Sequence, residues 1–337
     1  MKERVPDYYR DFSCIGSKCK DNCCIGWEID IDDYSMDQYD QLSGKFAEKL
    51  RNGIIKGNPS VFKMKENGRC VFLNEKNLCE IYIHLGESAL CEICTQHPRF
   101  HNCYGNFIES GLGIACETAA KLALERENPI VFKEYPIETE QKTEDSIIAW
   151  FFRVRNNLIN IIQNRFHPIE HRIKNLLSYG IYIQQLLNQK NDTIDDIIIA
   201  ENIERDESIF EKMREAHSME LWLDIYLQLD IMSDSWKKLL ENADPLKSCC
   251  KKMNDIFYEQ LLVYFMFRHL MNASEDFNII DRIKFCVLSC LVIHCVSDSC
   301  YASANHIQEI DAARLYSKEI EYSDENIDSI LEELLFS

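Results

Sequence analysis

The chain has 337 residues, a formal net charge of -19 and 46% hydrophobic residues. That length allows one large or two ordinary domains with a substantial core. The negative charge argues against the clustered Lys and Arg that displace counterions from a phosphate backbone, so no nucleic-acid partner and no anionic membrane surface are expected.

From Met1 to Cys14 charged residues precede any apolar run, so no secretory signal is expected. The cysteines are therefore expected to be reduced, in a cytoplasmic protein. Ten of the sixteen cysteines fall in the first 116 residues, opening with Cys14-x4-Cys19-x3-Cys23-Cys24. Ten of eleven glycines lie between Gly16 and Gly113, so loops and tight turns should dominate this third. Trp27 to Asp32 alternates apolar and acidic residues, the period of a half-buried strand. Tyr39, Leu42, Phe46 and Leu50 predict one helix over Tyr34 to Arg51, ended by Gly53, Gly57 and Pro59. Cys70 to Leu73 and Cys79 to Tyr82 flank the polar run Asn74 to Asn77 and predict a small hairpin. A helical pattern follows from Glu117 to Arg126.

The polar stretch from Glu127 to Asp145 reads as a linker. Amphipathic patterns then recur around 147–166, 169–189, 209–229, 236–240, 255–271, 281–296, 304–315 and 325–336, with no repeat at a solenoid period. The apolar run Phe285 to Val296 is about a dozen residues, short of the roughly 18 that a membrane span needs. The expected fold is mainly α. A loop-rich cysteine-cluster domain with short strands and helices (1–126) and a linker (127–145) precede an all-α helical domain (146–337).

Cytosolic thiolates that converge in space hold zinc or an iron–sulfur cluster, because both favour soft sulfur donors and lower thiol pKa values. Cys91-x2-Cys94 is a common half-site. Joined to the opening run and to Cys70-x8-Cys79, it becomes a strong signal. Adjacent Cys23 and Cys24 should point to opposite faces if extended, so that one ligates and the other packs or serves a second site. Cys103 has no partner at a recognisable spacing. His84, His97 and His101 are expected in structural or supporting roles. Cys286, Cys290 and His294 share one helix face, but their apolar neighbours argue for buried packing, and the same is expected of Cys249, Cys250, Cys295 and Cys300.

These residues resemble the flagellin lysine-N-methylases and a wider group of cysteine-rich cluster proteins. The resemblance rests on Phe12 to Trp27, on Asp32 with Tyr34, on Arg69 to Leu73 and on Leu78 to Tyr82. It continues in Leu85-Gly86-Glu87, Leu90 to Cys94, His97-Pro98-Arg99 and Cys116 to Leu122. Glu117 and Thr118 depart from the usual cysteine-proline-glutamate of the last block, and Gln260 from the asparagine of a segment in the helical half. The resemblance implies methyl transfer from S-adenosylmethionine to lysines of flagellin. It also implies a metal centre drawn from Cys14, Cys19, Cys23, Cys24, Cys70, Cys79, Cys91, Cys94 and Cys116. A 4Fe-4S cluster is preferred from the resemblance, with zinc the alternative.

The residues themselves show neither a glycine-rich nucleotide loop between strand and helix nor the C-x3-C-x2-C spacing of radical S-adenosylmethionine enzymes. Glu259 and Arg268 lie in a very apolar helix and are expected to form a structural pair or to face solvent. Asp32 and Glu87 could belong to a substrate site, but a strand end and a helix start explain them. No catalytic base is assigned. The competing reading is a non-enzymatic, metal-stabilised interaction module.

Overall fold

The structure, a computed structural model, describes residues 1–137, 146–189, 208–299 and 308–335. Strand β1 (Lys2–Pro6) opens the chain, followed by β2 (Asp30–Ile31), α1 (Asp33–Gln41), α2 (Lys45–Asn52), β3 (Ile54–Ile55) and β4 (Ser60–Phe62). Two short helices, α3 (Glu80–Leu85) and α4 (Glu92–Gln96), precede the hairpin of β5 (Arg99–Tyr104) and β6 (Phe107–Leu112). Helix α5 (Glu117–Leu124) and strand β7 (Phe132–Pro136) complete this part.

The helical half contains α6 (Ser146–Ile162), α7 (Ile169–Asn188), α8 (Ser208–Arg214), α9 (Ala216–Gln228), α10 (Asp234–Glu241) and α11 (Pro245–Ser248). It continues with α12 (Asp255–His269), α13 (Ala273–Asp276), α14 (Ile279–Ser299), α15 (Glu309–Ile320) and α16 (Asp324–Leu335). The fold is mainly α, as expected.

Several elements depart from the sequence reading. The helix expected over 34–51 is two helices, because Leu42 is extended and Gly44 takes φ 101°, a left-handed value that a side chain resists. Of the expected hairpin, the turn and the Leu73–Cys79 bridge form, but the second arm is α3, with Cys79 at its N-cap. Of the strand expected from Trp27, residues 30–31 form β2 in a three-stranded sheet of order β2-β4-β3. The pattern over 209–229 is split into α8 and α9.

The stretch read as a linker holds β7, which pairs antiparallel with β1 in a four-stranded sheet of order β5-β6-β1-β7. Only Phe132 and Tyr135 of its five residues are half-buried, so the strand carries no period-two apolar pattern. Packing also divides the chain elsewhere than at residue 126. One core of Ile29, Ile31, Tyr39, Leu50, Ile54, Phe62, Phe72, Leu73 and Ile81 includes Cys70 and Cys91. The other runs from Tyr8, Tyr104, Leu112 and Ile114 into the helices. Small residues Ala119, Ala120 and Ala123 let α5 pack against α12 and α15, so the sheet and α5 belong physically with the helical half.

Helices α12 and α14 pack against each other and are apolar around most of their circumference, the pattern of core helices. Among the described residues, no helix is long and apolar enough to cross a membrane. Several charges inside this core are paired. Glu109 on β6 meets Arg155 on α6, with Arg155 Nη1 at 2.6 Å from Oε2. Glu259 accepts from Arg165 at 2.7 Å and Arg172 at 2.6 Å. Arg268 bonds instead with Glu321, so Glu259 and Arg268 are both structural, but not partners of each other.

Removing a buried partner strands its counter-charges. Glu259→Ala is expected to destabilise the protein by about 3–5 kcal/mol. Glu211→Ala, which breaks the more exposed pair with Lys174, should cost below about 1 kcal/mol. Denaturant unfolding of both variants measures the difference.

Candidate metal centre

The cysteine region is organised by side-chain-to-backbone bonds. Ile25 N donates to Asn22 O at 3.0 Å, closing a turn with Cys23 and Cys24 at its corner. Asn22 Oδ1 accepts from Cys24 N at 2.9 Å, and Cys24 O accepts from Cys70 N at 2.9 Å. Across from it, Asn74 Oδ1 accepts from the N–H groups of Lys76 and Leu78. Arg69 reaches Asn77 Oδ1 at 2.7 Å. These polar turns carry Cys70 and Cys79 toward Cys24.

Asp32 fixes Cys91 and Cys94. Its Oδ1 caps α1 through Ser35 N at 2.8 Å, and its Oδ2 accepts from Glu92 N at 2.8 Å, at the start of α4. Burial opposes its ionisation, but these bonds outweigh burial and hold the carboxyl below its ordinary range. The bonds contribute stability above the unfolded pKa, lost as pH falls through the depressed folded value. Tyr39 adds a bond from its hydroxyl to Ala89 O at 2.8 Å.

The thiols of Cys23, Cys24, Cys70, Cys79, Cys91 and Cys94 lie within electrostatic reach of one another. Cys19 and Cys116 adjoin Cys23. The neighbouring Cys24 thiol lowers Cys23, and Cys94 lowers Cys91, while Cys24 and Cys94 are raised in turn. Burial pushes Cys70 up to about 11 and also raises Cys19, Cys79 and Cys116. Backbone N–H groups oppose that rise: Phe72 and Leu73 at Cys70, Ile81 and Tyr82 at Cys79, Thr118 and Ala119 at Cys116.

Cys23, Cys24, Cys70, Cys79, Cys91 and Cys94 thus influence one another's charge, and Cys19 and Cys116 are influenced by Cys23. Cys14 is not drawn into the group: it is exposed, and its sulfur accepts from Gly16 N at 3.4 Å. Cys23 and Cys24 sit in a turn and not in an extended segment, so the alternation of faces expected of a strand does not apply to them. Among the described residues, no group of three or more His, Cys, Asp or Glu side chains lies in an arrangement that could hold a metal ion as it stands. The donor set nevertheless fits a thiophilic metal. Thiol pairs sharing protons are the groups a cation would deprotonate, and backbone N–H donors are those that support bound thiolates.

The histidines take other roles. His84 packs on Phe46, His101 Nδ1 bonds Ser110 at 2.8 Å, and His97 packs on Trp27 and Tyr322. Burial, with Lys318 adding to it, pushes His97 down to about 4 and keeps it neutral. Cys286, Cys290 and Cys295 are buried in α14, as expected, and His294 bonds Tyr258 at 3.2 Å. Cys249 and Cys250 depart from that expectation: Cys250 is exposed, Cys249 half-buried, and their sulfurs lie 3.9 Å apart after α11. Cys300 lies outside the described residues. Glu87 is exposed at the start of a 3-10 turn.

Sequence reasoning missed the bridging role of Asp32, for which the signal was an N-cap aspartate followed by Ser35. It also missed Asp21, Trp27, Lys318 and Tyr322, which meet where the cysteine turn touches α15. Their separation along the chain left no local signal.

Cys94→Ser is expected to lower metal content and destabilise the cysteine region, while Cys290→Ser leaves metal content intact, as read by elemental analysis. Asp32→Ala should cost about 1–2 kcal/mol through the lost caps and reduce metal retention, as read by thermal unfolding with and without chelator.

Residues 155–336 match the family described as "FliB lysine N-methylase C-terminal domain". Residues 13–110 match the family described as "Putative zinc- or iron-chelating domain". Cys116 lies between the two matched regions. Lysine-N-methylases of Salmonella choleraesuis and Salmonella typhimurium are each 27% identical over 208 residues, 58% of this chain and 50% of theirs. The chain thus spans about half the length of these curated relatives. The flagellar biosynthetic protein FliU of Salmonella muenchen is 34% identical over 122 residues, 33% of this chain and 70% of its own. No solved structure matches the chain significantly. With more than half of its residues matched by the C-terminal model, the chain belongs to the FliB lysine N-methylase family.

Proposed function

We propose that this protein is a cytoplasmic lysine N-methyltransferase that transfers methyl groups from S-adenosylmethionine to lysines of flagellin and depends on metal held by its cysteine region. The observation that carries the reading is the match of residues 155–336 to the lysine N-methylase C-terminal family. Flagellin as substrate draws on the flagellar name of the FliU relative and on the resemblance in the cysteine segments. An iron–sulfur cluster is preferred to zinc on the same resemblance, since thiol spacing and packing suit either.

The chemistry sets demands on the chain. The accepting amine must be neutral and aligned with the donor's sulfur–methyl bond, and its proton must be taken up. S-adenosylmethionine supplies an electrophilic methyl group on a sulfonium. The chain's net charge of -19 favours encounter with a lysine-bearing surface and a cationic donor. The thiols of Cys23, Cys24, Cys70, Cys79, Cys91 and Cys94, with Cys19 and Cys116, would hold the metal.

A metal-stabilised interaction module is the competing reading, favoured by the small separate core around the cysteines. Mass spectrometry of flagellin co-expressed with the wild-type chain or with Cys94→Ser separates the two. Methyl increments on lysines with the wild type and their loss with the variant support methyl transfer. Unmodified lysines with a metal-replete wild type would overturn it.

A further inference from the structure

The segment carrying Cys19, Cys23 and Cys24 is held largely by the helical half. Lys20 N, next to Cys19, donates to Glu117 Oε2 on α5 at 2.8 Å. From α15, Lys318 Nζ lies 3.1 and 3.3 Å from the two Asp21 carboxylate oxygens and 3.3 Å from Ile25 O. Arg314 stands 3.8 Å from the same carboxylate. Lys318 thus grips both sides of the Cys23–Cys24 turn, although its own residue is 9% exposed.

The grip continues through an alternating stack. Lys318 Nζ sits 5.7 Å from the centroid of the Trp27 ring, Trp27 lies 4.8 Å from the Tyr322 ring, and Arg268 sits 4.8 Å over Tyr322. Each cation is neutralised, Lys318 by Asp21 and Arg268 by Glu321. Gly113 is needed at the base, since a Cβ there would come 2.1 Å from Tyr322 Oη. The ring faces are filled by the chain's own cations, so the stack acts as a fastening between segments and leaves no open aromatic seat.

We propose that Lys318 is a positioning residue of the cysteine centre: it holds the Cys19–Cys24 segment in its ligating place. Metal is then retained while α15 is docked, and by reciprocity metal loading strengthens that docking. The inference rests on the metal centre advanced under Proposed function.

The test uses the full chain loaded with cobalt(II), whose thiolate charge-transfer absorption reports sulfur ligation, and follows its loss to excess EDTA. Lys318→Met is expected to release metal about tenfold faster or more, with helix content by circular dichroism unchanged. Lys318→Arg should restore slow release, and Lys247→Met, at an exposed pair with Asp244, should match the wild type. Asp21→Asn removes the partner from the cysteine side and should speed release in the same way, which keeps the test open if Lys318→Met fails to fold. Wild-type release rates in folded Lys318→Met or Asp21→Asn would overturn the role of Lys318, as would equal acceleration by Lys247→Met. A wild-type chain with no cobalt–thiolate absorption would overturn the metal centre itself, and this inference with it.

Discussion

Eight thiols gathered into one neighbourhood need a counter-charge or protons, and the rest of the cysteine region is arranged around that need. As neutral thiols they contribute modest packing and weak hydrogen bonds. As thiolates without a cation they would repel one another. A thiophilic metal resolves both problems, because it replaces shared protons and draws several sulfurs to one charge. The small core around Phe62 and Phe72 is hard to imagine as the main support of so many loops.

The same constraint explains why helices from distant parts of the chain press on the cysteine turn. A turn made mostly of cysteines and polar caps has few large apolar side chains with which to anchor itself. Its anchors therefore come from outside, through Glu117, Arg314, Lys318 and the Trp27–Tyr322 contact. Those anchors stand on a helical half with a large apolar core, in which several buried charges are closed into networks. Glu321 illustrates this: it binds Arg268, His269 at 2.7 Å and Tyr264 at 2.9 Å, directly before Tyr322 in the chain. Burial alone would raise its carboxyl, but Arg268 and His269 outweigh burial and keep it ionised.

Much of this was legible in the sequence, for definable reasons. Several long helices were visible because their apolar residues recur at helical spacing over several turns, as in α6 and α7. Most of the cysteine set was visible because cysteine so concentrated in a glycine-rich region has few structural explanations. What escaped depended on tertiary contact. Strand β7 carries little apolar signal and exists because β1 offers it an edge. The sheet and α5 belong to the helical core through Ala119, Ala120 and Ala123, residues that carry no directional signal by themselves. The break before α2 turned on a single glycine, and the interaction of Cys23 with Cys24 on a turn that periodicity does not reveal. Asp32 looked like a strand end, yet it joins two helix starts that are distant in sequence.

The central claim is that the clustered cysteines bind metal through sulfur. X-ray absorption at the edge of the metal that co-purifies with the full chain tests it most directly. The account predicts a shell of sulfur scatterers at about 2.3 Å, with a metal–metal distance as well if the centre is an iron–sulfur cluster. A shell made of nitrogen and oxygen alone, or a chain that carries no metal when purified without chelator and without oxygen, would contradict it.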